Sequence, residues 1–256
     1  MLSPRFRTAL LGLLTLSAPA LADPPDGFVY LRDVDAGIAQ DMRYAGSDNF
    51  TGAALPGYDA AECVLTRAAA EALRQVEVDL APRHLGLKVY DCYRPTRAVA
   101  AFARWARAPE APGAPTKRFY PALDKRRLFA EGYIAAHSAH SAGIAVDLTL
   151  IALPPARVAT FDPAARYGPC TAPANERAPD NSLDFGTGFD CFDAKAHTSS
   201  EAIAPEQARR RALLVAAMRK RGFHNYPREW WHFSYGPHPR VLYDFPITPR
   251  ASSTSP

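Results

Sequence analysis

The chain has 256 residues, 48% of them hydrophobic, with 30 Lys and Arg against 26 Asp and Glu for a formal net charge of +4. So slight a bias gives no electrostatic reason to bind nucleic acid or anionic lipid. Beyond the N-terminal segment no stretch is long and apolar enough to span a bilayer.

Arg5 and Arg7 precede the apolar run Ala9 to Leu16, and Ala20-Leu21-Ala22 supplies a small-x-small cleavage pattern. A buried N-terminal helix is the alternative, but Pro19 and Asp23-Pro24-Pro25 oppose it. Residues 1–22 therefore read as a removed signal peptide, with no Cys following to take a lipid anchor. The product is expected to be exported, to the periplasm first and the medium second. Losing Arg5 and Arg7 lowers the charge from +4 to +2. Residues 23–249 form one expected domain, and the Ser/Thr/Pro tail 250–256 is expected to be disordered.

Phe28–Ile38 and Gln40–Tyr44 read as short strands or extended segments before the Gly46-Ser47-Asp48-Asn49 loop. Arg67–Leu80 carries Ala69, Leu73, Val76 and Leu80 at helical spacing, with Thr66 as a candidate N-cap. Leu87–Tyr90 alternates as a strand, Thr96–Arg107 is a second amphipathic helix, and Ile144–Ile151 is a largely apolar strand. Residues 153–183, rich in Pro, Ala, Asp and Asn, predict a long excursion. Pro205–Arg221 is helical up to its stop at Gly222, and Trp230–Tyr235 is a last strand. Without a regular β-α-β rhythm, the fold class is α+β, a mainly antiparallel sheet flanked by helices.

In an exported chain, Cys63, Cys92, Cys170 and Cys191 read as disulfides rather than metal ligands, since no C-x-x-C pair occurs. Four cysteines permit three pairings. Cys63–Cys92 and Cys170–Cys191 are preferred: one ties a helix start to the next strand, the other pins the Pro-rich excursion.

The chemistry concentrates in two segments. Ser138-Ala139-His140-Ser141-Ala142-Gly143-Ile144-Ala145-Val146-Asp147 places a His and an Asp across a small-residue turn leading into a strand. Glu229-Trp230-Trp231-His232 places a carboxylate three residues before another His, which on a straight strand would face the opposite way, so a tight bend is expected. Two imidazoles and one carboxylate, His140, Asp147 and His232, suit a catalytic zinc at roughly 2.0–2.2 Å with a fourth position open. Glu229 has the chemistry of the general base. Asp147 interrupts an apolar strand, and a buried carboxylate needs a partner. His84, His137, His197, His224 and His238 read as ordinary, with some reservation for His137.

Together the S-x-H-x-x-G-x-A-x-D and E-x-W-H segments resemble the zinc signature of the D-alanyl-D-alanine metallopeptidases, which share the hedgehog/DD-peptidase fold. Asp41-Met42-Arg43-Tyr44-Ala45 with Asn49-Phe50-Thr51-Gly52, then Tyr93-Arg94-Pro95, then Gly186-Thr187-Gly188-Phe189-Asp190 resemble the VanX-type dipeptidases of that group. The matches run in order from about residue 28 to 246. The resemblance implies one zinc per chain on His140, Asp147 and His232, catalysis by Glu229, and an oxyanion-stabilising role for Arg94. It implies that Asp190 meets the substrate ammonium, with Tyr44 and Ser138 helping to hold a small dipeptide, D-Ala-D-Ala. The signal segment and the excursion depart from the compact pattern, so recovery of wall fragments is as plausible as a resistance role. A D,D-carboxypeptidase is the nearest rival reading, and a non-enzymatic zinc-binding wall module the next.

Overall fold

The computed structural model describes residues 24–237 and 241–250. The signal segment 1–22, His238 and most of the 250–256 tail lie outside these residues. A five-stranded sheet orders β2 (Ala39–Gln40), β4 (Leu85–Asp91), β5 (Ala145–Ala152), β7 (His232–Tyr235) and β6 (Phe223–Asn225). Only the β2–β4 pairing is parallel, so the sheet is mainly antiparallel. A two-stranded ribbon pairs β1 (Phe28–Tyr30) with β3 (Val64–Thr66). The helices are a single turn α1 (Leu31–Val34), then α2 (Arg67–Leu80), α3 (Thr96–Arg107) and α4 (Pro205–Lys220).

Alternation decides which face of the sheet is covered. Leu87 and Val89 of β4, Val146, Leu148 and Leu150 of β5 and Phe233 of β7 join one core with Leu73, Val76 and Leu80 of α2 and Leu214 and Met218 of α4. Each such side chain contributes roughly 1.5–3 kcal/mol on burial. A second, aromatic core around Tyr44, Phe50, Tyr93 and Phe102 packs α3 beside the site. Arg211 on the inner face of α4 is 1% exposed and donates to the carbonyls of Phe185, Lys195 and His197. That ties α4 to the loop that carries Asp190.

Three expected elements differ in detail. β1 finds partners only along the three residues of β3, and beyond Tyr30 the chain curls into α1, with the Asp35 N–H bonded to the Leu31 carbonyl. After β2 the chain turns 3-10 at Arg43–Ala45 instead of continuing as a strand. The last strand begins at His232, not Trp230, because Tyr226–His232 is folded into a closed turn; β6, which precedes that turn, was not anticipated. Thr66 makes no side-chain cap bond, its own N–H serving the Gly143 carbonyl at the strand end.

The disulfides are Cys63–Cys92 and Cys170–Cys191, at sequence separations of 29 and 21. Loops of that size give about 3–4 kcal/mol each through chain entropy. Two disulfides fit an extracytoplasmic protein. No helix among the described residues is long and apolar enough to cross a membrane.

Glu77 on α2 offers a test of the packing. It is half-buried and accepts the Leu87 N–H at 2.6 Å, and burial, aided by nearby Asp35, pushes its carboxyl up to about 7. Because that lies above the unfolded value, the group favours folding fully at low pH and the contribution is lost as pH rises through about 7. Glu77→Gln keeps an acceptor for Leu87. Its urea midpoint is expected to match the wild type at pH 4 and to exceed it at pH 8.

Candidate metal centre and substrate cavity

One transverse row of the sheet builds the centre. Asp91 of β4 pairs with Asp147 of β5, and Asp147 pairs with His232 of β7. Strict alternation would send Asp91 to the same face as Leu87 and Val89. A register shift between Val89 and Asp91 sets two residues of β4 against one of β5 and re-aims the carboxylate beside Asp147. Asp147 itself alternates with Val146 and Leu148 and so faces away from the α2–α4 core.

His140 arrives from the loop before β5. Ser138 caps the short 3-10 turn Ala139–Ala142, its Oγ accepting the His140 N–H at 3.3 Å. Gly143 then closes the turn at φ +68°, where a Cβ would lie 2.2 Å from the Phe28 ring, so no other residue fits. His140 Nδ1 donates to the Cys92 carbonyl at 2.6 Å, which leaves Nε2 as the lone-pair nitrogen.

That Nε2 stands 3.1 Å from His232 Nδ1 and 3.3 Å from Asp147 Oδ1, and His232 Nδ1 is 2.9 Å from the same oxygen. Around a metal with bonds of about 2.0–2.1 Å, a tetrahedron has edges of roughly 3.3 Å. The three atoms therefore fit three corners of such a site, and they form a group able to hold an ion.

The E-x-x-H segment bends as its spacing requires. The Glu229 N–H bonds the Tyr226 carbonyl, His232 N–H the Glu229 carbonyl, and Tyr226 N–H the His232 carbonyl. Asn225 clamps this turn from beneath, its Nδ2 donating to the carbonyls of Glu229 and His232 at 3.0 Å each while Oδ1 accepts from Thr198. Glu229 Oε2 lies 4.0 Å from His232 Nδ1. Burial first, and the charges of Asp147 and Asp190 second, push the Glu229 carboxyl well above its ordinary range.

Arg94 leaves β4 just past the bulge. Its guanidinium meets Asp91 at 2.8 Å and Asp147 at 3.6 Å and lies over the Tyr44 and Phe102 rings, each 5.1 Å away. Asp91 is held on its other side by the Tyr58 hydroxyl at 2.6 Å. Burial pushes Asp147 up, but the two imidazoles outweigh it and hold the carboxyl below the usual range. Across the cavity Asp190 is 4% exposed, sits in the left-handed region at φ +55°, and accepts the Tyr44 hydroxyl at 2.8 Å. Burial, then the Asp147 charge, raises its carboxyl well above the normal value. A non-glycine residue in that conformation costs roughly 1–3 kcal/mol, which the surroundings must offset.

All eight residues singled out as metal, catalytic or substrate positions thus face one cavity of about 660 Å³, which His137 also lines. Sequence reasoning missed Asp91, Tyr58 and Asn225, and His224, taken as ordinary, lines the cavity as well. Asp91 was signalled by its place three residues before Arg94; Tyr58 and Asn225 carried no signal, since only the fold brings them here.

The profile of a family described as D-ala-D-ala dipeptidase matches residues 25–159 and 176–251. The chain belongs to that family. It is 31% identical over 225 residues to the D-alanyl-D-alanine dipeptidase of Enterococcus faecalis, covering 87% of this chain and 99% of that protein. The D-alanyl-D-alanine dipeptidase of Streptomyces coelicolor is 34% identical over 222 residues, 86% of this chain and 98% of its own. The Escherichia coli protein of the same name is 30% identical over 193 residues, covering 75% and 76%. Membership makes the chain a peptidase and accounts for the α+β architecture.

Asn225 gives the prediction of this section. Asn225→Ala removes the side-chain donor from the Glu229 and His232 carbonyls, each of which keeps a backbone donor, at a cost of about 1–3 kcal/mol for the two bonds. A fall in the urea midpoint and faster amide exchange confined to 226–232 are the expected readings.

Proposed function

We propose that the mature chain is an exported, zinc-dependent D,D-dipeptidase that hydrolyses D-Ala-D-Ala to two D-alanines. The observation that carries this reading is Asp190. It is a buried carboxylate in the metal-ligand cavity whose only direct side-chain partner among the described residues is a neutral hydroxyl. A buried anion calls for a cation, and the ammonium of a free dipeptide is one. The D-Ala-D-Ala dipeptidase names of the relatives supply the substrate.

Charge balance supports the metal. Asp91, Asp147, Asp190 and Glu229 are four buried carboxyls, and among the described residues Arg94 is the one guanidinium set between them. A divalent cation on His140, Asp147 and His232 and a substrate ammonium at Asp190 bring that set to neutrality. Zinc suits a donor set of two imidazoles and one carboxylate, one ion per chain. When bound, it acts as a Lewis acid toward the scissile carbonyl and the attacking water.

The side chains do the rest. Asp190, oriented by Tyr44, holds the dipeptide by its ammonium, and Ser138, at the cavity rim, keeps a hydroxyl proton free to donate to the substrate. Arg94, fixed by Asp91, directs its cation at the oxygen on which negative charge develops. Glu229, kept basic enough by burial to accept a proton, takes it from the attacking water and passes it to the departing amine. Export puts this chemistry in the periplasm, where wall fragments are the source of substrate.

The cavity is larger than D-Ala-D-Ala requires, and this favours a second reading, a D,D-carboxypeptidase acting on longer wall peptides. The two are separated by supplying the zinc-loaded mature protein with D-Ala-D-Ala and with a pentapeptide ending in D-Ala-D-Ala. D-alanine release from the dipeptide alone is expected. Cleavage of the pentapeptide with similar efficiency would establish the carboxypeptidase. Glu229→Gln is expected to keep its zinc and lower kcat by about 10²–10⁴-fold.

A further inference from the structure

The segment 160–175, which the family profile passes over, is not a free surface loop. Cys170 within it is bonded to Cys191, the residue directly after Asp190. The Cys170 carbonyl accepts the Gly188 N–H at 2.9 Å, two residues before Asp190, and its own N–H bonds the Arg118 carbonyl at 2.7 Å. Beyond the disulfide, Phe192 N–H bonds the Phe119 carbonyl at 2.8 Å and Lys195 Nζ reaches the Thr171 carbonyl at 2.7 Å. The insertion therefore grips the loop on both sides of Asp190. It is itself anchored through Arg118, whose guanidinium lies over the rings of Phe119, Phe161 and Tyr167 and pairs with Asp48 at 2.6 Å.

Packing leaves one gap beside this loop. A cavity of about 80 Å³, sharing no lining residue with the metal-ligand cavity, is lined by Cys170, Gly188, Phe189, Arg177 and Trp230 among others. A Cβ at Gly188 would meet Arg177 and Cys170 only at ordinary contact distances of 3.8–3.9 Å, so nothing there is tightly wedged against the loop. The loop also carries a left-handed Asp190 whose charge sits near those of Asp147 and Asp91. Repulsion from those carboxyls favours displacing Asp190, the adjoining cavity leaves room for it, and a covalent link beside the Tyr44 hydrogen bond opposes it.

We infer that Cys170 and Cys191 are positioning residues for substrate binding: their disulfide uses the insertion as a brace that holds Asp190 forward at the ammonium subsite. The inference rests on the ammonium reading of Asp190. A consequence is that the enzyme binds its substrate fully only when oxidised, whereas the metal centre, backed by the separate Cys63–Cys92 disulfide through the Cys92 carbonyl, does not depend on this bond.

The test compares steady-state hydrolysis of D-Ala-D-Ala by zinc-loaded wild type, C170S/C191S and Asp190→Asn, with zinc content measured on each. For C170S/C191S, KM is expected to rise about tenfold or more, as displaced binding groups commonly produce, with kcat within about twofold and zinc retained. Amide exchange should accelerate in 186–192 and not at 138–147. Should C170S/C191S fail to fold, the folded wild type is reduced and alkylated, and molecules opened at Cys170–Cys191 are assayed by the same split. An unchanged KM in either preparation, beside a raised KM for Asp190→Asn, overturns the brace and leaves the ammonium reading standing. An unchanged KM for Asp190→Asn overturns the ammonium reading, and the brace with it. A parallel fall of kcat and zinc content in C170S/C191S also overturns the brace, because the disulfide would then be serving the whole site.

Discussion

Asp147 lies on the middle strand of the five-stranded sheet, 2% exposed, with a second carboxylate, Asp91, directly across the ladder. Two buried acids side by side are costly, and the surroundings of the row are set by that cost. Arg94 lies against both, His140 closes on Asp147 from the loop before β5 and His232 from β7, and Tyr58 takes the far side of Asp91. Even so, the acids outnumber the cations. A fold that keeps this excess of buried acids suits positive guests, which under the proposed function are a metal and the substrate ammonium.

The scaffold supplies orientation through backbone groups as much as through side chains. The Cys92 carbonyl fixes the tautomer of His140, and Asn225 holds the carbonyls of Glu229 and His232, so these two side chains share one clamped turn. Arg211, buried in α4, gathers three carbonyls of the Phe185–His197 loop, on which Asp190 stands. Groups of this kind keep a site within the narrow tolerance that hydrolysis demands.

Much of this was readable in the chain itself. Apolar spacing in Arg67–Leu80 and Thr96–Arg107 marked the helices because their inner faces repeat every three to four residues. Asp147 stood out because a charge in an apolar strand has no cheap explanation, and the H-x₆-D and E-x-x-H spacings gave the candidate ligands, which the fold brings together. Asp190, Tyr44 and Ser138 were legible only through family resemblance, since a Tyr in a core or a Ser at a turn is unremarkable alone. The bulge that re-aims Asp91 was hidden, because alternation predicts the opposite face and only strand pairing reveals the extra residue. Tyr58 and Asn225 escaped for the same reason: their roles are contacts across 33 residues in one case and across a folded turn in the other. The excursion at 153–183 was expected to be pinned by Cys170–Cys191, as it is, but only the fold shows that this bond lands beside Asp190 in the cavity.

The claim that His140, Asp147 and His232 hold one zinc is tested most directly by zinc affinity, measured by chelator competition on the wild type and on His140→Ala, Asp147→Asn and His232→Ala. The account requires one tightly held zinc per wild-type chain. It also requires that each substitution weaken binding by more than the roughly 10–100-fold that loss of an outer hydrogen-bond partner costs. Undiminished zinc affinity in Asp147→Asn would contradict it, because the buried carboxylate at the centre of the sheet would then be something other than a ligand.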